Sequence, residues 1–450
     1  GNGSYSTADS YVKQVWDGRY TGIRMCNQLL ENIDRVPDLD PELKKRYIGE
    51  AKVLRAYNYY ELYTKFGDVP YTTKVLSIKE SMSIARTDRA TVIANMLADL
   101  DEVINGNYLP ASYDADNKGR ITRWAAMAIK AKIYLFEGNW TQVKNITSTI
   151  MTEGGFRLFG SYAGLFEIAN EYNSEVILDA QYRPTSREHQ MMYAFLPPSL
   201  GGYSQLSPLQ ELVDSYIMLD GKTIRETGTS FDESNPYANR DPRLKATVMY
   251  TGNSYTLADG TEVVINCEKG EGKDGYGVGS DCSATGYYIK KYWDNTYRAT
   301  LYSGLNPILI RYADILLMNA EALAELGELD KTAWDATIKP IRDRAGFTLA
   351  SAVEFPEGAS KDKLIEIVRN ERRSELALEG HRHKDIIRWR IADNVLNGWC
   401  HGLKTNDVVG TDDGYVRVEN RTFNANRHYL WPIPQAERDL NGNLEQNPNW

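Results

Sequence analysis

Between Arg369 and Trp389 the sequence is dense in both charge signs, and Glu371, Glu375, Glu379 and Asp385 are the carboxylates that paired general acid and base chemistry would use. The same residue types also make an ion-pair network, pinning a helix and its exit turn at Gly380, with Asp385 beside Arg388 at i+3. The network is the favoured reading, because most catalytic signatures are absent. There is no GxSxG elbow and no HExxH helix. Gly221-Lys222-Thr223 looks like the end of a phosphate loop, but Tyr216 stands where that loop requires its first glycine. His381 and His383 lie two apart, on different faces of a helix, and no Cys/His cluster has zinc spacing. Neither a catalytic centre nor a metal or cofactor is expected.

A second chemistry has better material. Sugar recognition needs flat aromatic faces for the C–H side of a pyranose and hydrogen-bonding groups for its hydroxyls. The stretch Tyr287-Tyr288-Ile289-Lys290-Lys291-Tyr292-Trp293-Asp294-Asn295-Thr296-Tyr297, with Tyr302 beyond it, supplies both. Trp293, Tyr297 and Tyr302 are the candidate platform, with Asn295 and Lys291 as polar contacts, while Tyr288 and Tyr292 are expected to pack on the scaffold as strand residues. Tyr71, just past Pro70, and Tyr203, in the Gly201-Gly202 turn, are secondary candidates.

Composition narrows the classes further. The 450 residues carry 52 Lys and Arg against 61 Asp and Glu, a net charge of −9, which argues against a broad phosphate-binding surface and hence against nucleic acid, while leaving room for a local basic patch. There are 30 Tyr and 9 Trp but 10 Phe, a bias toward rings with a polar handle that suits wet binding surfaces as well as cores. No apolar run approaches the ~18–20 residues needed to span a bilayer. The chain opens Gly1-Asn2-Gly3-Ser4 without an initiator methionine, so any targeting segment or lipid anchor is expected to lie outside it. Cys267 and Cys282 flank a Gly-rich stretch; a disulfide across it and two unpaired thiols both fit.

The elements that would position these residues are mostly helical. Val12, Val15, Trp16, Tyr20, Ile23, Leu30 and Ile33 follow a 3.6-residue period up to Pro37, and residues 48–66 are apolar or aromatic around almost the whole circumference before Gly67-Asp68-Val69-Pro70 breaks them. Thr122 is a plausible N-cap for a stripe of Trp124, Ala128, Ala131 and Leu135; Gly138 ends that helix, and a short partner runs to Gly154-Gly155. The same layout recurs with Ala313, Leu317, Ala320 and Ala324 as the stripe, Asp314, Glu321 and Glu325 on the far side, Gly327, and a partner to about Arg344. This pairing fits the helix–turn–helix logic of tetratricopeptide-like units. A further helix is expected from about Lys361 to Gly380. Residues 156–306 are turn-rich, with short β-prone pieces around 176–178, 247–250 and 263–265, and the tail from Tyr429 has no period and should be extended on the surface.

Four separated motifs resemble the SusD/RagB family. They are Glu50 to Tyr60 with Phe66-Gly67-Asp68-Val69-Pro70; Ile310-Arg311-Tyr312-Ala313-Asp314 to Leu323; Glu371-Arg372-Arg373 through Glu379-Gly380-His381-Arg382 and Asp385 to Arg388-Trp389; and Leu430-Trp431-Pro432-Ile433-Pro434 to Asn447-Pro448-Asn449. The resemblance covers about 1–155 and 287–450. It implies a mostly α, tetratricopeptide-like scaffold, 1–155 and 307–450, carrying a loop-rich insertion, 156–306, with a few short strands. It further implies a non-catalytic, lipid-anchored glycan-binding protein of the outer-membrane surface, binding an oligosaccharide or polysaccharide and working with a SusC-like TonB-dependent transporter in nutrient uptake, in some members as its lid. No sugar-contacting residue transfers with these motifs. The rival readings are an all-helical glycoside hydrolase, needing two carboxylates ~5–9.5 Å apart across a cleft, and a helical-repeat scaffold for protein partners.

Overall fold

The computed structural model describes residues 3–296, 301–405 and 411–450. The chain divides into two compact units, each assembled from separated stretches: Gly1–Gly154, His383–Asn397 and Arg421–Trp450 form the first, Gly155–Arg382 and Gly398–Asn420 the second.

Five long helices build the first unit: α1 (Ser10–Asn32), α2 (Pro41–Phe66), α3 (Arg89–Asn105), α4 (Arg123–Phe136) and α5 (Trp140–Glu153). Each packs on the next along the chain. Every N-terminus has a side-chain oxygen on an otherwise orphaned backbone N–H: Asp9, Asp40, Asp88, Thr122 and Asn139 in turn. The C-terminal half of α2 is enclosed, with Val53, Tyr59, Leu62 and Phe66 all without solvent contact. Its end at Gly67 takes a positive φ of 72°, and Val69 then bridges Thr87. The sequence reading passed over α3, although Val92, Met96, Leu100 and Val103 form a buried stripe behind the Asp88 cap.

The second unit holds α6 (Tyr312–Leu326), which packs on both α7 (Lys331–Ala345) and α8 (Lys361–Glu375). Gly327, left-handed at φ 76°, turns α6 toward α7. The expected polar face of α6 is not one: Asp314 and Glu321 are fully buried, and Asp314 accepts from Arg372 at 2.6 Å. α8 ends at Glu375, five residues before Gly380. The carbonyls of Glu375 and Ala377 take their hydrogen bonds from Arg311 and Lys291 instead of from the next helical turn.

Nine short strands are described: β1 (Val176–Asp179), β2 (Val248–Met249), β3 (Ser254–Thr256), β4 (Glu262–Val264), β5 (Tyr288–Ile289), β6 (Ile308–Arg311), β7 (Gly398–Lys404), β8 (Thr411–Asp412) and β9 (Tyr415–Arg421). β1 pairs antiparallel with β6 (Val176 opposite Arg311), β2 with β5, and β3 with β4, while β7, β9 and β8 form a three-stranded sheet in that order. That last sheet lies within 307–450, which the sequence reading gave to helix and tail alone. The tail also differs from a surface wrap: it holds a short helix, Gln435–Leu440, and buries Ile433 and Leu444. The cysteines are free thiols.

Candidate functional site

The charged segment is a buried network. Arg311, at the end of β6, reaches Glu175 at 2.7 Å, Glu375 at 2.6 Å and Glu379 at 2.7 Å. Arg243 holds Asp241 at 2.7 Å, Glu371 at 2.7 Å and Glu375 at 2.8 Å, and Arg344 adds bonds to Glu175 and Glu375. Burial alone would raise the Glu375 carboxyl, but Arg344, Arg311 and Arg243 together hold it well below the usual carboxylate range; Glu371 and Glu379 shift the same way, burial again being outweighed by their cationic partners. A general acid for glycoside cleavage needs the opposite shift. These carboxylates brace the interior of the unit.

The aromatic stretch splits between interior and surface. Tyr287, Tyr288 and Tyr292 are core residues; the Tyr288 hydroxyl donates to the Asp274 carbonyl at 2.6 Å. Lys291 is enclosed with them. Its ammonium donates to the Tyr162 hydroxyl at 2.9 Å, the Ala377 carbonyl at 2.8 Å and Glu379 at 2.7 Å, so all three of its N–H groups are engaged. Burial, opposed by Glu379, brings it down to about 8. Withdrawn from the surface and saturated, it has no donor left for a sugar. Trp293 is half-buried, its ring 5.1 Å from that of Tyr255 and its indole N–H donating to the Thr256 carbonyl at 2.8 Å. Asn295 is also half-buried. Tyr297 lies outside the described residues.

Tyr302 and Tyr203 come together on one surface. Both are 42% exposed. They flank the short helix Met191–Phe195: the Tyr302 hydroxyl accepts from the Gln190 amide at 2.7 Å, and the Tyr203 ring stacks on Tyr193 with centroids 4.2 Å apart and planes 26° from parallel. The backbone fixes this strip. His189 and Ser303 exchange both N–H···O bonds, Tyr203 N–H donates to Tyr193 C=O, and Leu206 N–H donates to Ala194 C=O. Gly202 makes the close approach feasible, since a Cβ there would sit 2.1 Å from the Leu196 carbonyl oxygen. Buried Asp294 accepts from Ser303 at 2.5 Å, which sets residues 293–295 beside 301–303. The strip thus offers a stacked aromatic pair, a phenol, an exposed primary amide and the exposed side chain of Leu206. Tyr71 belongs to the other unit, half-buried with its ring 4.5 Å from Tyr59, and burial pushes its hydroxyl up to about 12.

Sequence reasoning missed Gln190 and Tyr193, whose one signal was their place just before Pro197-Pro198. It also missed a recess of about 270 Å³ in the second unit, where Tyr237 and Tyr287 join hydroxyls at 3.2 Å and Lys404 and Tyr415 contribute lining. Those residues are scattered from 237 to 415, so no local pattern unites them. Among the described residues no group of three or more His, Cys, Asp or Glu could hold a metal ion, and no helix is long and apolar enough to cross a membrane.

Residues 165–450 match the sequence profile of the SusD family. The chain belongs to the SusD family. Residues 2–135 match a second profile, described as starch-binding and associating with the outer membrane. A SusD-like protein (P25) of Formosa agariphila is 28% identical over 410 residues, 86% of this chain and 71% of that one. Among solved structures, a SusD-like carbohydrate-binding protein from Bacteroides fragilis superposes with a TM-score of 0.87 at 29% identity, covering 99% of this chain and 88% of that one. A laminarin-binding SusD-like protein superposes at 0.67 and 25% identity, over 97% and 85%. The mostly helical, tetratricopeptide-like reading of the sequence agrees with this membership.

Proposed function

We propose that this SusD-family chain is a non-catalytic glycan-binding subunit at the outer-membrane surface, and that the strip around Met191–Phe195 is its sugar-contacting face. The observation that carries the assignment is the exposed Tyr203 ring, stacked on half-buried Tyr193, beside the Tyr302–Gln190 pair. Ring faces suit the C–H side of a pyranose, and the phenol and amide offer donors and acceptors to its hydroxyls. The related carbohydrate-binding and laminarin-binding proteins support a polysaccharide ligand. A lipid anchor upstream of Gly1 would hold the chain at the surface, beside a SusC-like TonB-dependent transporter that imports what it binds.

The test is a glycan array followed by affinity electrophoresis in the polysaccharide that binds. Tyr203→Ala and Tyr302→Ala are each expected to weaken retention about tenfold, equivalent to ~1.4 kcal/mol for one lost aromatic contact, and Trp293→Ala to weaken it less. Unchanged mobility in both tyrosine variants would move the sugar face elsewhere. Release of reducing sugar from a bound polysaccharide would replace the binding role with a hydrolytic one.

A further inference from the structure

The first unit contains a cavity of about 340 Å³ whose lining includes Arg89, Arg388, Arg390 and Arg427 and no carboxylate. The volume falls in the range of small-molecule sites. These arginines come from distant parts of the sequence: the first turn of α3, the end of the helix Arg382–Arg388 and the turn after it, and the turn just before the tail. In a chain of net charge −9, such convergence makes a local basic patch.

Two of the four are balanced. Arg388 is paired with Asp385 at 2.9 Å, and Arg89 with Glu137 at 2.5 Å. The other two are held differently. The Arg390 guanidinium lies 3.6 Å from the Tyr429 ring centroid, and that of Arg427 lies 3.8 Å from the Trp450 centroid. Both rings are anchored: the Tyr429 hydroxyl donates to Asp393 at 2.7 Å, and the Trp450 indole N–H reaches the carbonyls of Arg427 and Leu430 at 3.1 and 3.0 Å. Stacking occupies the flat face of a guanidinium and leaves N–H donors on its edge for a bidentate partner. Among the described residues no carboxylate lies within ion-pair distance of Arg390 or Arg427. Arg390 is exposed and Arg427 half-buried, so two guanidinium groups without a carboxylate partner converge on one cavity from separate segments, a place shaped for an acceptor-rich anion.

We propose that this cavity binds a tetrahedral oxoanion, sulfate or phosphate, either as the free ion or as an ester on a small sugar, with the edges of Arg390 and Arg427 as its principal donors. The site is separate from the tyrosine strip, and neither assignment depends on the other.

Titration calorimetry of the full chain, with sodium sulfate and then glucose 6-sulfate against sodium chloride at equal ionic strength, tests the proposal. The unmodified protein is expected to bind sulfate saturably, and Arg390→Gln with Arg427→Gln to lower the affinity at least tenfold while mobility in the bound polysaccharide stays the same. Tighter binding of glucose 6-sulfate than of sulfate would assign the site to the esterified sugar, and equal binding to the free ion. Arg427→Lys, which keeps the charge but loses the fork, is expected to fall between. No saturable binding of either probe to the unmodified chain would overturn the proposal without recourse to any variant. So would affinity unchanged in the double variant.

Discussion

Glu375 accepts from Arg243, Arg311 and Arg344 with no solvent contact. Neutralising it leaves three guanidinium groups buried with too little negative charge around them, and breaking a buried pair from one side costs about 3–5 kcal/mol. Glu375→Gln is therefore expected to lower the unfolding free energy from urea titration by that amount, although the substitution barely changes shape. The sign of the pH dependence follows from the depressed carboxyl. A group whose folded value lies below its unfolded value, near 4.5, contributes fully above 4.5 and loses that contribution as pH falls toward the folded value. The unmodified chain should thus lose stability steadily below pH 4.5, and Glu375→Gln should show a shallower decline over the same window; parallel curves would mean the carboxylate is not a determinant of acid stability. The same residues explain what was legible in the sequence. Arg311, Glu371, Glu375 and Glu379 stand in the motifs that carry the family resemblance, and each proves to be interior bracing. The motifs encode the scaffold, so the fold could be read from them and the ligand face could not.

At the level of elements, legibility followed periodicity. The stripes of α4 and α6 are local, and their caps and breaking glycines, Thr122, Gly138 and Gly327, do what their types predict. α8 ran short of its expected end because Arg311 and Lys291, 50 or more residues away in sequence, take the carbonyls of Glu375 and Ala377, and nothing local signals that. The β7–β9–β8 sheet went unread although Val416-Arg417-Val418-Glu419 in β9 alternates apolar and polar, because that run is short and its partner β7 has no such alternation. The strip around Met191–Phe195 depends on one contact the sequence hinted at with Gly201-Gly202. Because a Cβ at 202 would fall 2.1 Å from the Leu196 carbonyl oxygen, Gly202→Ala must push the 201–206 turn off the helix and with it the Tyr203 ring. The expected cost is about 1–3 kcal/mol, in line with overpacking elsewhere, together with a loss of glycan retention comparable to Tyr203→Ala. Thermal melts and affinity electrophoresis on one preparation check both; retention unchanged alongside a lower melting temperature would detach Tyr203 from binding.

Across the whole molecule, each unit is stitched from stretches far apart in the chain, and the tail shows how the first one closes. The Asn447 amide donates to the carbonyls of Phe66 at 2.8 Å and Trp431 at 2.7 Å, and its oxygen accepts from Arg86 at 2.6 Å. The Phe66 carbonyl belongs to the last turn of α2, where helical geometry leaves it unpaired, and Arg86 also bonds that carbonyl and the Glu445 backbone oxygen. One side chain near the C-terminus thus completes a helix end nearly 400 residues upstream. This gives the terminal Asn-Pro motif a physical reason: an amide supplies two donors and an acceptor in one plane, which Asp, Ser or Ala at 447 would not. Asn447→Ala leaves the Trp431 carbonyl without the amide's donor and the Phe66 carbonyl with Arg86 alone, at about 1–3 kcal/mol for a buried group deprived of its partner. Because those groups all lie in the first unit, the loss should be local. Hydrogen exchange is expected to quicken at the α2 C-terminus and through residues 429–450, with amides of β1 and β6 in the second unit keeping their protection. Uniform acceleration through both units would show that they unfold together, and that the tail secures the whole chain instead of one part of it.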